Sequence, residues 1–318
     1  MRVSMRTAVL VVGAIALAAV AVATIGFGGD DRRLSNGCTY TARGLPECGT
    51  YVGAAIGAND DPSELEGSLG SRLAIRRTYW QQHQVDLALN AARSDVEGGR
   101  LPWISFKLGV TWQEAAEGAA DAWADDLRSR LAELPGPVWV AIHHEPENDG
   151  DITQWQAIQS RLGPILREAP NLGFTVILTG WNQVHGSPEF SLDRIWPDTK
   201  VDVAAFDVYN RYGPREDGSF SDDRTDLRSE YFSTFSSWAR ERGIAWAVGE
   251  TGFTDQAATV DPGWLETTYR DLQDTGGIAL VYFDSENFIN RPIGLSTPGK
   301  REAFRRILAE SPLLPGPE

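Results

Sequence analysis

Glu145 and Glu250 each stand at the end of a short apolar run in this chain of 318 residues. The first run covers residues 138–144 and the second covers residues 244–249. Because such runs are typical of buried parallel strands, each carboxylate is expected at the carboxyl end of a strand. Hydrolysis of a glycosidic bond requires two carboxyl groups, one as proton donor and one as nucleophile or base. The pair therefore predicts a glycosidase.

The elements that must position these glutamates alternate regularly from residue 50 onward. Near-continuous apolar runs alternate with helical patterns, and eight such repeats predict one (β/α)8 TIM barrel over residues 50–318. A doubly wound open sheet is the alternative, but no G-x-G-x-x-G or G-x-x-x-x-G-K-[ST] motif follows the first run. The eight predicted strands are residues 51–57, 73–79, 101–107, 138–144, 174–179, 201–207, 244–249 and 278–283.

Capping residues predict several helix boundaries. Thr111 and Glu114 form a capping box ahead of an apolar helical stripe over residues 115–131. Asp261 and Thr297 each precede a proline, which suits the first position of a helix. We therefore expect helices to begin at these three places.

Further polar residues follow the same strand ends, where a barrel builds its active site. Glu147 is an alternative to Glu145 as proton donor, although it lies two residues further from the strand. Asp284 and Glu286 are expected either to contact sugar hydroxyls or to be solvated. The full set is His143, His144, Glu145 and Glu147 after the fourth run, Asp207 and Tyr209 at the sixth, Glu250 after the seventh, and Asp284 and Glu286 after the eighth.

These residues resemble the clan A glycoside hydrolases, whose barrels carry an acid/base after strand four and a nucleophile after strand seven. The pair His144-Glu145 resembles family 26 of that clan, best known for endo-β-1,4-mannanases. The resemblance implies that Glu145 is the acid/base and Glu250 the nucleophile of a retaining mechanism. It also implies that Tyr209 donates a hydrogen bond to the nucleophile, and that His144 contacts the substrate or the nucleophile. A neighbouring carboxylate and a partly apolar pocket would raise the pKa of Glu145, as a general acid requires.

Two departures from the family concern positions that bind sugar. No tryptophan follows closely after the His144-Glu145 pair, and the eighth run ends in Tyr282-Phe283 where the clan usually has tryptophan. The resemblance therefore supports the catalytic chemistry more strongly than it supports a particular polysaccharide substrate. A mannan-like β-1,4-polysaccharide is the first expectation, and xylan or a mixed-linkage β-glucan is the alternative. A non-catalytic glycan-binding barrel at the cell surface is a second hypothesis.

Aromatic side chains near the strand ends could stack on sugars, because a rigid ring offers flat apolar area at small entropic cost. Trp181 directly follows the fifth run and is predicted to be such a platform, with Trp80 and Tyr212 as further candidates. Trp139 and Trp246 lie inside apolar runs and are expected in the core.

Composition limits the partners. The net charge of −15 argues against nucleic acid or another polyanion as the main partner, and it fits a neutral polysaccharide. His83, His143 and His185 are scattered without the spacing of metal ligands, so no metal and no cofactor are expected. A monomer is expected.

Residues 1–28 predict export. Two arginines precede an uncharged apolar stretch, which is typical of a signal peptide cleaved near residues 21–23 or of a membrane anchor. Either would place the rest of the chain outside the cell or on its surface. Residues 29–49 are predicted to be a linker loop, in which Cys38 and Cys48 form a disulfide.

Overall fold

Eight parallel strands close into a barrel in the computed structural model, which describes residues 32–215, 218–222, 224–285 and 293–316. Each barrel strand pairs with the barrel strands before and after it in the chain, and the last strand closes the ring on the first. The predicted (β/α)8 barrel is confirmed, and the open doubly wound sheet is wrong. The strands are β1 (Tyr51–Ile56), β2 (Ile75–Gln81), β3 (Leu101–Lys107), β4 (Val138–Ile142), β5 (Leu172–Leu178), β6 (Val203–Asp207), β7 (Ala245–Thr251) and β8 (Gly277–Asp284).

The predicted carboxyl ends differ from the observed ones by two residues at β2, β4 and β7, and the last two are the strands that lead to the glutamates. β4 stops at Ile142, two residues earlier than predicted, because His143 adopts a left-handed backbone with φ of 46°. β7 continues through Glu250 to Thr251, because both residues still pair with neighbouring strands. Glu145 therefore lies in a loop, whereas Glu250 lies within a strand.

Helices pack around the outside of the barrel. The connection after β6 carries a hairpin of Gly213–Pro214 with Phe220–Ser221, and a π-helical turn at Arg228–Phe232 leads into the helix that begins at Ser233. The α-helices of the described residues are α1 (Ser63–Leu69), α2 (Val85–Glu97), α3 (Trp112–Glu117), α4 (Asp121–Ala132), α5 (Ile152–Arg167), α6 (Trp181–His185), α7 (Leu192–Ile195), α8 (Ser233–Arg242), α9 (Asp255–Val260), α10 (Trp264–Asp274) and α11 (Pro298–Glu310).

Two of the three predicted helix starts are confirmed. The hydroxyl of Thr111 accepts from the backbone N–H of Glu114, whose carboxylate accepts from the N–H of Thr111. The hydroxyl of Thr297 caps α11 by accepting from the backbone N–H of Lys300, with a proline in the first turn. The helix predicted to start with Asp261 as its cap begins two residues later, at Trp264, because Asp261 instead ends α9 and Gly263 precedes α10.

The helical stripe predicted over residues 115–131 is split into α3 and α4. Gly118 interrupts it with φ of 112°, a conformation that favours glycine. Both parts still bury apolar residues, including Ala115, Leu127 and Leu131. The prediction of one continuous helix is therefore wrong, although the buried face is placed correctly.

Apolar side chains form one layer inside the barrel and another between the strands and the helices. Trp139 is fully buried in the inner layer and Trp246 is buried in the outer layer, as predicted. The inner layer also contains Tyr51, Ile75 and Trp103, which fill the barrel below the carboxyl ends of the strands. This packing leaves the carboxyl ends as the open face.

Residues 32–49 cover the opposite end of the barrel. Leu34 is buried against the inner apolar layer, and the backbone carbonyl of Arg43 accepts from Nε1 of Trp139 at 2.8 Å. Cys38 and Cys48 form a disulfide within this segment. Among the described residues, no helix is long and apolar enough to cross a membrane. The predicted export segment, residues 1–28, lies outside the described residues.

Candidate active site

Glu250 lies near the carboxyl end of β7, where a shift in the pairing between β6 and β7 brings it opposite Asp207. The neighbouring Gly249 permits this approach, because a Cβ at that position would lie 2.5 Å from Oδ1 of Asp207. Glu250 is 5% exposed, so its carboxylate depends on protein groups for hydrogen bonds.

Three donors surround the carboxylate of Glu250. The hydroxyl of Tyr79 donates to Oε1 at 2.7 Å, and the hydroxyl of Tyr209 donates to Oε2. Nη1 of Arg77 lies 3.2 Å from Oε1. Both oxygens are therefore engaged, and the carboxylate is fixed in one orientation. The contact predicted between Tyr209 and Glu250 is present.

Arg77 is a fully buried cation on β2, inside the barrel. Its Nη1 lies 3.1 Å from both carboxylate oxygens of Asp207, and its guanidinium lies 5.0 Å from the ring centroid of Tyr79. Burial acts to lower the pKa of Arg77, but Asp207, Tyr79 and Glu250 together raise it above its ordinary value. Arg77 is thus a permanent positive charge behind the nucleophile candidate.

Glu145 lies in the turn that follows β4. Two residues of this turn have left-handed backbones: His143 with φ of 46° and Glu145 with φ of 51°. Left-handed conformations are uncommon away from glycine and cluster at functional sites. Two hydrogen bonds hold this turn: the N–H of His143 donates to the carbonyl of Phe106 at 2.8 Å, and that of Glu145 donates to the carbonyl of Ile177 at 2.9 Å. The loop after β4 is therefore fixed to β3 and β5.

Glu145 and Glu250 line one cleft of about 330 Å³ at the carboxyl ends of the strands. Burial, and next the negative charge of Glu250, raises the pKa of Glu145 to about 7, against the opposing effect of Arg77. Glu145 is therefore partly protonated at neutral pH. The carboxylate of Glu250, in contrast, accepts hydrogen bonds from Tyr79 and Tyr209 and lies beside the cation of Arg77. The other residues that line the cleft are Tyr79, Trp80, Gln81, Lys107, His144 and Phe283.

His144 lies in the cleft beside Tyr79, with 5.4 Å between the ring centroids. Burial, assisted by Arg77, lowers its pKa well below 6.5, so the ring is neutral. Its Nδ1 is buried without a hydrogen-bond partner among the described residues. The donors on Glu250 are instead Arg77, Tyr79 and Tyr209, which leaves substrate contact as the predicted role of His144.

Two neighbouring polar residues have structural contacts. Nε2 of His143 accepts from the backbone N–H of Leu108 at 3.1 Å, and burial lowers the pKa of this ring to about 4. Glu147 points away from the cleft: it accepts from the N–H of Thr179 at 3.1 Å and from Nε2 of Gln183 at 2.5 Å. Glu147 thus joins the loop after β4 to the end of β5.

The acidic residues predicted after the eighth strand lie away from the cleft or outside the described residues. Asp284 accepts from the backbone N–H of Leu295 at 2.7 Å and borders a separate pocket near Asp60. Glu286 lies outside the described residues. The geometry does not place Asp284 near the two catalytic candidates.

The aromatic candidates lie in three different places. Trp181 is 56% exposed and lines a second pocket, which shares Asp207 and Tyr209 with the surroundings of Glu250. Trp80 lines the catalytic cleft itself. Tyr212 is buried against the hairpin and borders neither the cleft nor the pocket of Trp181.

Arg77 and Tyr79 are the functional candidates that sequence reasoning missed. A signal was present, because Arg76 and Arg77 interrupt an apolar run that is expected to be buried. Side chains alternate along a strand, so one of two adjacent arginines must point into the barrel. Arg76 points outward to Asp95 on α2, and Arg77 points inward. No group of residues that could hold a metal ion occurs in the part of the chain that the structure describes.

Comparison with known proteins gives structural likeness only. No family model matches the sequence, and no curated protein matches it significantly. The chain is similar to the GH26 β-mannanase BoMan26A of Bacteroides ovatus, with 13% identity over 82% of this chain and 88% of that one, and a TM-score of 0.58. It shares the barrel fold of glycoside hydrolases.

Two further structures support this likeness of fold. Thermotoga maritima Cel5A, in complex with mannotriose, is 13% identical, covers 80% of this chain and 97% of its own, and has a TM-score of 0.56. A β-glycosidase from Pyrococcus horikoshii is 9% identical, covers 87% of this chain and 97% of its own, and has a TM-score of 0.58.

Proposed function

We propose that this protein is a retaining glycoside hydrolase that cleaves β-1,4-linked polysaccharide, with Glu145 as acid/base and Glu250 as nucleophile. One observation carries the proposal: the two carboxyl groups line the same cleft in opposite electrostatic surroundings. Burial raises the pKa of Glu145 to about 7, and Glu250 accepts hydrogen bonds from two hydroxyls beside a buried cation. This division of roles is what a double-displacement mechanism requires.

In the first step, Glu145 donates its proton to the glycosidic oxygen while Glu250 attacks the anomeric carbon. The bond to the leaving sugar breaks, and an ester forms between Glu250 and the sugar. Arg77, Tyr79 and Tyr209 orient the attacking carboxylate. His144, which is neutral, contacts the sugar bound between the two glutamates.

In the second step, water replaces Glu250 at the anomeric carbon. Esterification has removed the charge of Glu250, which had helped to raise the pKa of Glu145. Glu145 therefore becomes the stronger acid, and its carboxylate accepts a proton from the attacking water. The donors Tyr79 and Tyr209 stabilise the carboxylate as it leaves.

The contacts of Glu250 favour a nucleophile over a general base. Hydrogen bonds to both of its oxygens fix the carboxylate in one orientation and stabilise the negative charge that returns to it as it departs from the sugar. A nucleophile that forms and then releases a glycosyl ester needs both effects. We therefore propose retention of anomeric configuration.

A mannan-like polysaccharide is the first choice of substrate. Among the similar structures are a β-mannanase and a Cel5A in complex with mannotriose, although the same Cel5A is also described with cellobiose. In this chain Phe283, near the end of β8, lines the cleft at the position where clan A glycoside hydrolases usually have tryptophan. Trp80 lines the same cleft. Xylan and mixed-linkage β-glucan are the alternative substrates.

We also propose that the protein works outside the cell or on its surface. The disulfide between Cys38 and Cys48 is typical of an oxidising compartment, and it agrees with the apolar N-terminal segment. Expression of the full chain, followed by assay of the medium, the membrane and the soluble fraction, tests this location. Recovery of active protein only from the reducing cytosol would contradict it.

The decisive experiment compares Glu250→Gln, Glu145→Gln and Glu147→Gln on mannan, xylan and mixed-linkage β-glucan. Glu250→Gln should lose at least ~10⁴-fold in turnover on every substrate. Glu145→Gln should lose as much on polysaccharide, but with an aryl glycoside whose leaving group needs no proton it should still release the aryl group in the first step and then turn over slowly, because the second step lacks its base. Glu147→Gln should keep most activity, because Glu147 faces away from the cleft.

The configuration of the first product, followed by NMR, separates the mechanisms. Release of the β-anomer supports retention, and release of the α-anomer contradicts the role of Glu250. Binding of polysaccharide without release of sugar by the wild-type protein would favour the non-catalytic barrel.

A further inference from the structure

The side chain of Asn59, in the loop after β1, forms two hydrogen bonds with the backbone of Tyr79 on β2. Its Nδ2 donates to the carbonyl of Tyr79 at 2.6 Å, and its Oδ1 accepts from the N–H of Tyr79 at 2.8 Å. The hydroxyl of the same tyrosine donates to Oε1 of Glu250 at 2.7 Å. Asn59 is therefore connected to the proposed nucleophile through a single residue.

These two hydrogen bonds extend the support of β2 beyond its pairing with β1. β2 pairs with β3 along its whole length, from Ile75 to Gln81. Its pairing with β1 covers Ile75 and Arg76 at the start of the strand. Three residues further on, the amide of Asn59 bonds to both the N–H and the carbonyl of Tyr79, as a neighbouring strand would.

The backbone of Asn59 suits this contact. Its φ is 70°, in the left-handed region that asparagine enters more readily than most other residues. An amide group also carries both the donor and the acceptor that the backbone of Tyr79 requires. Aspartate lacks the donor, and glycine lacks the side chain. Asparagine therefore meets the backbone requirement and the hydrogen-bonding requirement together.

Arg76 holds the same loop from outside the barrel. Its Nη2 donates to the backbone carbonyl of Asn59 at 2.9 Å and to that of Asp60 at 2.8 Å. Arg76 is buried, so water competes little for these contacts. The loop after β1 is thus fixed to β2 by the guanidinium of Arg76 and by the amide of Asn59.

We propose that Asn59 is a positioning residue for catalysis, which acts through Tyr79 to orient Glu250. The inference rests on the proposed function of Glu250 as nucleophile. The backbone of Tyr79 sets the position of its hydroxyl, and a hydrogen bond weakens steeply when its geometry is lost. Misplacement of an orienting group by about 1 Å can lower a rate by up to ~10²-fold. Without the amide of Asn59, the end of β2 would be free to make such a shift.

The test begins with Asn59→Gly, which removes the amide but retains a residue that adopts the left-handed backbone. With an activated aryl glycoside, this variant should have a kcat about tenfold lower than the wild type. It should also show a burst of released phenol, because the departing carboxylate of Glu250 has lost a well-placed donor. An unchanged kcat without a burst, even with a lower unfolding temperature, would overturn the proposal.

A double-mutant cycle with Tyr79→Phe shows whether Asn59 acts through that hydroxyl. In the Tyr79→Phe background, Asn59→Gly should lower kcat by less than about twofold more, because the hydroxyl that it positions is already absent. Equal losses of kcat in the two backgrounds would overturn the proposal.

Asn171→Ala is the matched control for loss of an amide that holds backbone in place. Nδ2 of Asn171 donates to the carbonyls of Leu131 at 3.1 Å and Gly136 at 3.0 Å, near the amino end of β5 and away from the cleft. This variant should unfold at a lower temperature but keep the kcat of the wild type. A fall in kcat equal to that of Asn59→Gly would overturn the specific role of Asn59.

Crystal structures of the wild type and of Asn59→Gly separate failure of this inference from failure of the proposed function. If neither protein hydrolyses any glycan, the proposed function fails. A hydroxyl of Tyr79 that leaves hydrogen-bond range of Glu250 in the variant would still support the positioning role of Asn59. A distance that stays at 2.7 Å in the variant would overturn that role.

Discussion

Tyr79 on β2 donates to one oxygen of Glu250 at 2.7 Å, while Tyr209, two residues beyond the end of β6, donates to the other. In an eight-stranded ring these strands lie on opposite sides of the barrel. Glu250 is therefore fixed from two directions, and its orientation depends on the closure of the barrel as well as on its own strand, β7.

Substitution Tyr79→Phe should lower kcat about tenfold to hundredfold, because one donor to the departing carboxylate is lost. Tyr209→Phe should have a similar effect. Since departure of Glu250 is the second step, the covalent glycosyl-enzyme should accumulate with an activated aryl glycoside. Stopped-flow kinetics would show this as a burst of released phenol followed by slow turnover.

Tyr269→Phe is the control for loss of a buried hydroxyl. Tyr269 lies on α10, and its hydroxyl reaches the carbonyl of Thr50 at 3.5 Å, away from the cleft. This variant should keep the kinetics of the wild type. A Tyr79→Phe variant with unchanged kcat and no burst would show that its hydrogen bond to Glu250 has no part in catalysis.

The pH profile should report the ionisation of Glu145. The first step needs its proton, and its pKa is about 7, so kcat/KM should fall as the pH rises through that value. Lys107 lowers this pKa and Glu147 raises it. Lys107→Met should therefore move the alkaline limb to higher pH, and Glu147→Gln should move it to lower pH. Shifts in the reverse directions would contradict the assignment.

Stability should depend on the same group. The folded pKa of Glu145 lies above its ordinary value, so its protonation contributes stability below about pH 4.5 that is lost as the pH rises through 7. Glu145→Gln, which has no charge to bury, should therefore unfold at a higher temperature than the wild type above pH 7. Thermal unfolding at pH 5 and pH 8 should show the difference only at the higher pH.

The barrel could be predicted from sequence because strands that are buried on both faces need near-continuous apolar sequences, and the chain has eight such runs. Glu145 and Glu250 could be found because polar residues at the ends of such runs are conspicuous. The predicted end of β4 is less accurate, because the left-handed turn at His143 depends on hydrogen bonds to β3 and β5. Those partners are distant in sequence.

The contacts that define the roles in the site could not be predicted in full. Tyr79 and Glu250 are 171 residues apart, and Arg77 and Asp207 are 130 apart. A local pattern contains no information on which side chains meet across the barrel. Tyr209 was predicted only through the resemblance to a family, and the roles of Trp181 and His144 stay predictions.

The disulfide should stabilise the closed end of the barrel without affecting catalysis. The cysteines are ten residues apart, and a loop of that length corresponds to about 3 kcal/mol of stabilisation. The double variant Cys38→Ser/Cys48→Ser should unfold roughly 5–10 °C lower. Its kcat at 25 °C should match that of the wild type, because residues 32–49 lie opposite the cleft. A fall in kcat with an unchanged unfolding temperature would contradict a purely stabilising role for the disulfide.

Among the described residues, the ion pair between Arg77 and Asp207 should be the most sensitive to substitution, because both of its side chains are fully buried. Both side chains are fully buried, so Arg77→Met leaves the charge of Asp207 without its partner. Loss of one member of such a pair costs about 3–5 kcal/mol, whereas Arg128→Gln, which breaks a pair with the exposed Asp125, should cost about 1 kcal/mol or less. Urea unfolding measures both.

The double variant Arg77→Met/Asp207→Leu separates stability from function. An apolar pair of similar volume removes the unpaired charge, so much of the lost free energy of unfolding should return. Activity should not return, because Glu250 still lacks the cation that lies 3.2 Å from its Oε1. Recovery of stability together with full turnover would show that Arg77 serves only the fold, and would leave the two tyrosines as the whole support of the nucleophile.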